Sequence, residues 1–79
     1  MDESGDGQPG VSRVAQAVLK FSHPHDPVTM EVVVDHEARD RITGFAEMFS
    51  DAAGKQVSEG GVIEYAIDKL WSAWLEGQL

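Results

Sequence analysis

The sequence predicts a mainly α-helical fold with one β-strand, in the order strand, helix, helix. Three observations carry this prediction. In residues 28–34, every second side chain is apolar and would lie on the same face of a β-strand. Residues 38–49 repeat apolar side chains at helical spacing, and residues 62–75 are apolar at ten of fourteen positions. We expect this β-α-α unit to form an intertwined homodimer, because nothing else in the sequence covers the strand or the last helix.

The segment before the strand divides into a tail and an arm. Residues 1–10 hold three acids, no base and three glycines, so we expect a disordered acidic tail. From Val11 to Ser22 a helical spacing of apolar residues and a strand-like alternation fit equally well. Pro24 and Pro27 then break whichever element precedes them. Residues 11–27 are therefore an arm or an extra element that ends in a proline-rich turn.

The clearest strand signal runs from Val28 to Val34, where β-branched side chains dominate. Side chains of a strand alternate between its faces, so one face of this run is fully apolar. That face consists of Val28, Met30, Val32 and Val34, and the opposite face of Thr29, Glu31 and Val33. A lone strand leaves both edges without hydrogen-bonding partners, which favours pairing with a second chain.

A helix is predicted to begin after Asp35, which is placed to accept hydrogen bonds from the free N–H groups of a first turn. Its buried stripe recurs at Ala38, Ile42, Phe45, Ala46 and Phe49. Glu37 and Arg41 are spaced for an i,i+4 ion pair on the exposed side. Gly54 suits the left-handed position that commonly ends a helix, so we expect the helix to stop there.

The last helix is predicted to begin near Ser58 to Gly61 and to extend to about Glu76. Its apolar residues cover far more than one stripe, so we expect it to be buried on two sides. Trp71 and Trp74 occupy neighbouring positions, where they fit either a dimer core or an anchor for a protein partner. Residues 28–79 are thus the predicted dimerisation domain, with dimer or partner contacts at Val32, Val34, Ile63, Ile67, Leu70, Trp71 and Trp74.

Composition excludes several classes of protein. The sequence has no cysteine, which removes disulfides and thiolate metal sites. A formal net charge of −8 counts against a protein whose whole surface is positively charged for nucleic acid. No apolar run approaches the roughly 18 residues of a membrane span, and residues 1–10 do not have the pattern of a signal peptide. We therefore expect a cytoplasmic protein without a membrane partner or a cofactor.

No constellation of residues indicates catalysis. His23, His25 and Asp26 are metal-ligand types, but their spacing in a proline-rich turn is typical of surface histidines. Ser22 lies next to His23 without a third group that would orient a base. The glycine pair at 60–61 lacks the Lys-Ser/Thr that follows the glycines of a P-loop. We predict that the protein is not an enzyme and binds no metal.

The order of elements resembles the ribbon–helix–helix (Arc/MetJ-type) family over residues 28–75. The resemblance rests on the alternating run Val28–Val34, on the helix start Asp35-His36-Glu37, and on Val62-Ile63-Glu64-Tyr65-Ala66-Ile67, which is similar to the family's apolar-Ile-x-x-Ala-Leu run. It implies that two chains pair their strands into a ribbon, and that this ribbon enters the major groove of DNA.

The same resemblance implies which residues contact DNA. The base-edge contacts it implies are Thr29, Glu31 and Val33. The phosphate contacts it implies are the amides of Gly60 and Gly61, at the start of the last helix. Arg13 and Lys20 precede the ribbon, where they fit either a basic arm that contacts phosphate or two solvated surface charges.

Two functions follow from these observations. The architecture favours a small dimeric DNA-binding regulator, a repressor or autoregulator, that inserts its two-stranded ribbon in the major groove. The charge favours an acidic protein-binding module, such as an antitoxin, a phage-type inhibitor or a nucleic-acid mimic, that blocks a basic partner protein. The predicted partners are therefore a second copy of the chain, duplex DNA and a protein.

Overall fold

Three α-helices pack against one another in the computed structural model, which describes residues 9–78. The helices are α1 (Pro9–Phe21), α2 (His36–Ala53) and α3 (Glu59–Leu75). Each helix contacts both of the others, so the core lies where the three meet. The predicted tail, residues 1–10, lies outside the described residues except for its last two positions, which begin α1.

The predicted strand does not form, so the prediction of a β-α-α unit is wrong. Residues 28–34 lie in a connection without helix, and within residues 9–78 no strand exists with which they might pair. A strand is held by hydrogen bonds to a neighbouring strand, and three helices offer no such neighbour. Without a strand in residues 9–78 there is no ribbon, so the ribbon–helix–helix fold is also wrong as a description of this chain. The homodimer stays a prediction.

Helix α1 resolves the ambiguity of residues 11–22 in favour of a helix. Pro9 stands at its first position, where a residue without an N–H is tolerated because that N–H would have no helical partner. Ala15 and Val18 are fully buried, three residues apart on one face, and Val11, Val14 and Leu19 pack around them. Burial against the other two helices therefore decides between two patterns that are equivalent in the sequence.

Helix α2 has the predicted bounds. Asp35 has the extended backbone of an N-cap, but its side chain makes no cap hydrogen bond in the described structure, so that detail of the prediction is wrong. Gly54 is left-handed (φ 73°), and its N–H donates to the carbonyl of Ser50, as expected for a helix C-terminus. The Glu37 and Arg41 side chains pair at 3.3 Å on the exposed side, as predicted.

The start of α3 is joined to the end of α1 by serine hydroxyls. Ser58 caps α3 by accepting a hydrogen bond from the Gly61 N–H at 2.8 Å. The Ser58 N–H donates in turn to Ser22 Oγ at 2.9 Å, and Ser22 Oγ donates to the carbonyl of Val18. Gly61 is buried under this contact. A Cβ at this position would clash with Ser22 Oγ and lie 2.8 Å from the Val18 carbonyl oxygen, so the contact requires glycine.

The core is small. Its buried hydrophobic members are Ala15, Val18, Ala46, Phe49, Val57 and Val62. Phe45 stacks on Phe49 with ring centroids 5.6 Å apart and stays half-exposed, although its spacing predicts a buried position. Within residues 9–78, α1 and α2 cover only one face of α3. The predicted burial of its other side by a second chain stays a prediction.

Candidate functional site

The uncovered face of α3 is the most distinctive surface of the molecule. Five large apolar side chains recur along it at helical spacing and form what we call the outer stripe: Ile63, Ile67, Leu70, Trp71 and Trp74. Trp71 and Trp74 are 61% and 63% exposed, which is high for the two largest apolar side chains of a small domain. Contiguous exposed apolar faces of this kind are common features of interaction surfaces.

The packing of α3 determines which of its faces is left open. Val62 and Gly61 are buried against the core, and Tyr65, one turn further on, is half-buried and meets the ring of Phe21 edge-on at 6.5 Å. The outer stripe lies on other positions of the helix and extends through its C-terminal half. The sequence names these residues as dimer or partner contacts, and the structure places them together on one accessible face.

Two shallow grooves flank the ridge formed by Ile67 and Trp71. The first, of about 290 Å³, is lined entirely by Ile67, Leu70, Trp71 and Trp74. The second, of about 260 Å³, is lined by Phe21, Glu64, Ile67, Asp68 and Trp71. The apolar side chains of the stripe therefore stand between a purely apolar groove and a groove with two carboxylates.

The charge around the outer stripe is acidic. Helix α3 carries three acids and only one base, Lys69. The Lys69 ammonium lies 5.3 Å from the centroid of the Tyr65 ring, in a cation–π contact on its own helix. Residues 9–78 as a whole carry six basic and eleven acidic side chains, a net charge of −5. The site thus offers apolar anchors beside negative charge.

A second exposed apolar region lies in the connection between α1 and α2. We call residues 28–34 the extended segment. Val28 is 82% exposed and Val33 is fully exposed, and Met30, Val32 and Val34 are also accessible. Val32 and Val34, named from the sequence as dimer contacts, lie on this segment and not on the outer stripe. Neither of them packs against the core cluster in the described structure.

The residues predicted to contact DNA are dispersed over the structure. Thr29, Glu31 and Val33 lie on the extended segment and are exposed. Arg13 and Lys20 are exposed on α1. Gly60 is exposed at the start of α3, whereas the Gly61 N–H is already used by the Ser58 cap and its Cα faces α1. These contacts stay predictions, and for Gly61 the structure supplies a packing role.

A polar groove of about 620 Å³ lies between α2 and the start of α3. Its walls include Glu47, Asp51 and Glu59, and Thr43 Oγ1 donates to Glu59 across it at 2.9 Å. No group of three potential metal ligands occurs among residues 9–78, including the histidine turn. The groove is larger than those of α3, but it has neither an apolar anchor nor a nucleophile beside a base, so we assign it no function.

No family model matches the chain, and the searches of curated proteins and of solved structures find no match. These comparisons carry no evidence for or against the ribbon–helix–helix resemblance at the level of family. None of the helices in the described part of the chain combines the length and apolarity that are needed to cross a bilayer. The function has to be argued from the surface itself.

Sequence reasoning missed the part that α1 plays in shaping this site. The end of α1 supplies Phe21 to the acidic groove and the Ser22 hydroxyl that orients the start of α3. The available signal was the spacing of Val11, Val14, Val18 and Phe21, which fits a helix. That signal competed with an alternating pattern over the same residues, and only the packing partners separate the two.

Proposed function

We propose that this chain is a small protein-binding module whose outer stripe receives an amphipathic helix of a basic partner protein. The single observation that carries the proposal is the exposure of Trp71 and Trp74 together on the open face of α3. An apolar groove that accepts anchors at i, i+3, i+4 and i+7 is a recurring mode of helix recognition. Trp side chains are enriched among the residues that dominate binding energy.

The charge beside the groove indicates the sign of the partner. Glu64 and Asp68 line the acidic groove next to Ile67 and Trp71. Lys or Arg residues that flank the apolar anchors of a bound helix would lie near these carboxylates, which favours encounter and fixes orientation. The partner is therefore expected to present Leu-, Ile- or Phe-type anchors on one face, with basic residues on either side of them.

DNA binding is the weaker proposal for this chain. Duplex binding requires several Lys or Arg side chains near phosphates. The six basic residues of residues 9–78 are distributed over α1, α2, α3 and one connection, and they are outnumbered by acids. A second copy of the chain is likewise the weaker occupant of the outer stripe, because it would bring Glu64 and Asp68 of both chains close together.

The experiment uses the two tryptophans, both of which lie in the outer stripe, as reporters. A synthetic amphipathic helix of Leu and Lys is titrated into the full-length protein while Trp emission is recorded. We expect a blue shift that saturates, because a bound helix removes the indoles from water. Leu70→Ala should weaken binding about fivefold or more, since it removes an anchor contact that is worth about 1 kcal/mol or more.

Met48→Ala is the matched control, because Met48 is a similarly exposed apolar residue on α2 outside the stripe. It should leave the affinity unchanged. A Leu and Glu peptide of the same length should bind much more weakly if the acidic groove selects a basic partner. Equal binding of both peptides, or no saturable shift, would contradict the proposal. Specific binding to duplex DNA with a steep salt dependence would instead favour the DNA-binding regulator.

A further inference from the structure

The extended segment is an apolar surface of a different kind from the outer stripe, because its backbone is also free. The described hydrogen bonds include none from or to the main chain of residues 28–34. Within residues 9–78, the N–H and C=O groups of these seven consecutive residues therefore have no protein partner. Five of these seven residues are β-branched, a residue type that packs well on the surface of a pleated sheet.

We propose that the extended segment adds as a strand to the free edge of a β-sheet in a partner protein. A sheet edge offers a row of complementary N–H and C=O groups, and it satisfies an extended backbone along its whole length. The alternation of Val28, Met30, Val32 and Val34 then places four apolar side chains on one face of the enlarged sheet. The inference is independent of the outer stripe, which takes a helix.

Glu31 indicates why the partner is another protein rather than a second copy of this chain. It is the central residue of the segment and the only charged side chain in it. An antiparallel pairing of two whole segments would place Glu31 directly opposite its own copy, and like charges at that position destabilise a sheet. A partner strand with Lys or Arg opposite Glu31 would instead be stabilised by the attraction between opposite charges.

The probe is a disulfide-cyclised β-hairpin with a free edge strand of alternating Val and Thr and a central Lys. It is added to the isotope-labelled full-length protein, and the amide resonances and hydrogen exchange of residues 28–34 are followed. We expect these amides to shift and to become protected, while the resonances of α3 stay unchanged. No change up to about 1 mM hairpin would overturn the proposal.

Single proline substitutions at positions 30, 31, 32 and 33 test whether the contact is a strand. In an added strand, the N–H groups of alternate residues point to the partner, so proline should weaken binding about tenfold at two of these positions and much less at the two between them. An even loss at all four positions would show a side-chain contact and would overturn strand addition. The helical circular dichroism should be the same in all four variants, because the segment is outside the core.

Charge exchange tests the choice of partner. Glu31→Lys should weaken binding of the Lys hairpin by about two- to fivefold and strengthen binding of a matched Glu hairpin by a similar factor. Sedimentation without hairpin should give a mass of 8.6 kDa rather than its double. A dimer whose residues 28–34 are already protected would overturn the assignment to another protein. Failure of the hairpin to bind would not contradict the function proposed for the outer stripe, because that function is tested separately by Trp emission.

Discussion

The two connections between helices treat valine in opposite ways. Residues 54–58, between α2 and α3, bury Val57 to 1% exposure, and the Val57 N–H donates to Ser50 Oγ at 2.9 Å. Residues 22–35, between α1 and α2, leave Val28 and Val33 in solvent without hydrogen bonds in the described structure. Both stretches lack helix, so the backbone alone does not decide burial. Val57 is a core residue because neighbouring elements offer an apolar surface to its side chain and a hydroxyl oxygen to its N–H.

The largest effect should separate these two connections directly. Val57→Asp places a carboxylate in the core without a partner, and burial of an unpaired charge is among the most destabilising changes known. We expect it to abolish cooperative unfolding followed by circular dichroism at 222 nm. Val33→Asp is the matched control at an exposed valine, and we expect it to shift the unfolding free energy by no more than about 0.5 kcal/mol. Equal loss of structure in both variants would refute the comparison.

A smaller effect on stability is expected at Gly60 and Gly61, which follow the connection of residues 54–58. Gly61→Ala introduces a Cβ against Ser22 and the Val18 carbonyl, so we expect a loss of about 1–3 kcal/mol from overpacking. Gly60→Ala meets only Ser58 Oγ at 3.7 Å, and we expect it to stabilise by up to about 1 kcal/mol through reduced backbone entropy. Urea unfolding of both variants measures the difference. Opposite signs at adjacent positions are the expected signature.

The two serine hydroxyls that accept hydrogen bonds from the backbone of residues 54–58 should each contribute modestly to stability. Ser22→Ala removes the hydroxyl that accepts from the Ser58 N–H, and Ser50→Ala removes the one that accepts from the Val57 N–H. Each should lower the unfolding free energy by about 1 kcal/mol, the net value of a typical hydrogen bond. Ser12→Ala, at an exposed position of α1, is the control and should be near neutral. A neutral Ser22→Ala would show that packing between α1 and α3, and not this hydrogen bond, holds the two helices together.

The smallest effect is expected in the extended segment. Val32→Thr keeps the β-branched shape and exchanges a methyl for a hydroxyl at an exposed position, so we expect a change within about 0.5 kcal/mol in the free energy of unfolding. The same urea titration measures it. A loss above about 1 kcal/mol would indicate that the segment packs against the chain in solution, and it would remove the contrast between the two connections.

Local signals in the sequence were sufficient for α2 and α3. Gly54, Ser58 and the spacing of Ala46 and Phe49 act within one or two turns, so their consequences do not depend on distant residues. The ends of both helices follow from them. The same holds for the Glu37–Arg41 pair, which is fixed by helical spacing alone.

The strand prediction failed because a β-strand requires hydrogen bonds to a second strand, which the local sequence does not supply. The run Val28–Val34 has the residue types and the alternation of a strand, but its hydrogen bonds would have to come from elsewhere, and the chain has no such neighbour in residues 9–78. The sequence alone does not decide between helix and strand for residues 11–22, for the related reason that Ala15 and Val18 become core residues only through their contacts with α2 and α3. The outer stripe was named from the sequence, but its exposure depends on how α1 and α2 cover α3.

The small size of the core has a calorimetric consequence. Unfolding raises the heat capacity mainly through newly hydrated apolar surface, and globular domains average roughly 12–15 cal/mol/K per residue. Here six hydrophobic residues are buried while both tryptophans and most of the large aliphatic side chains of α3 are already in water. The heat-capacity increment should therefore fall below that average, which gives a stability curve of low curvature. A partner bound to the outer stripe would remove these side chains from water, and the increment should then rise.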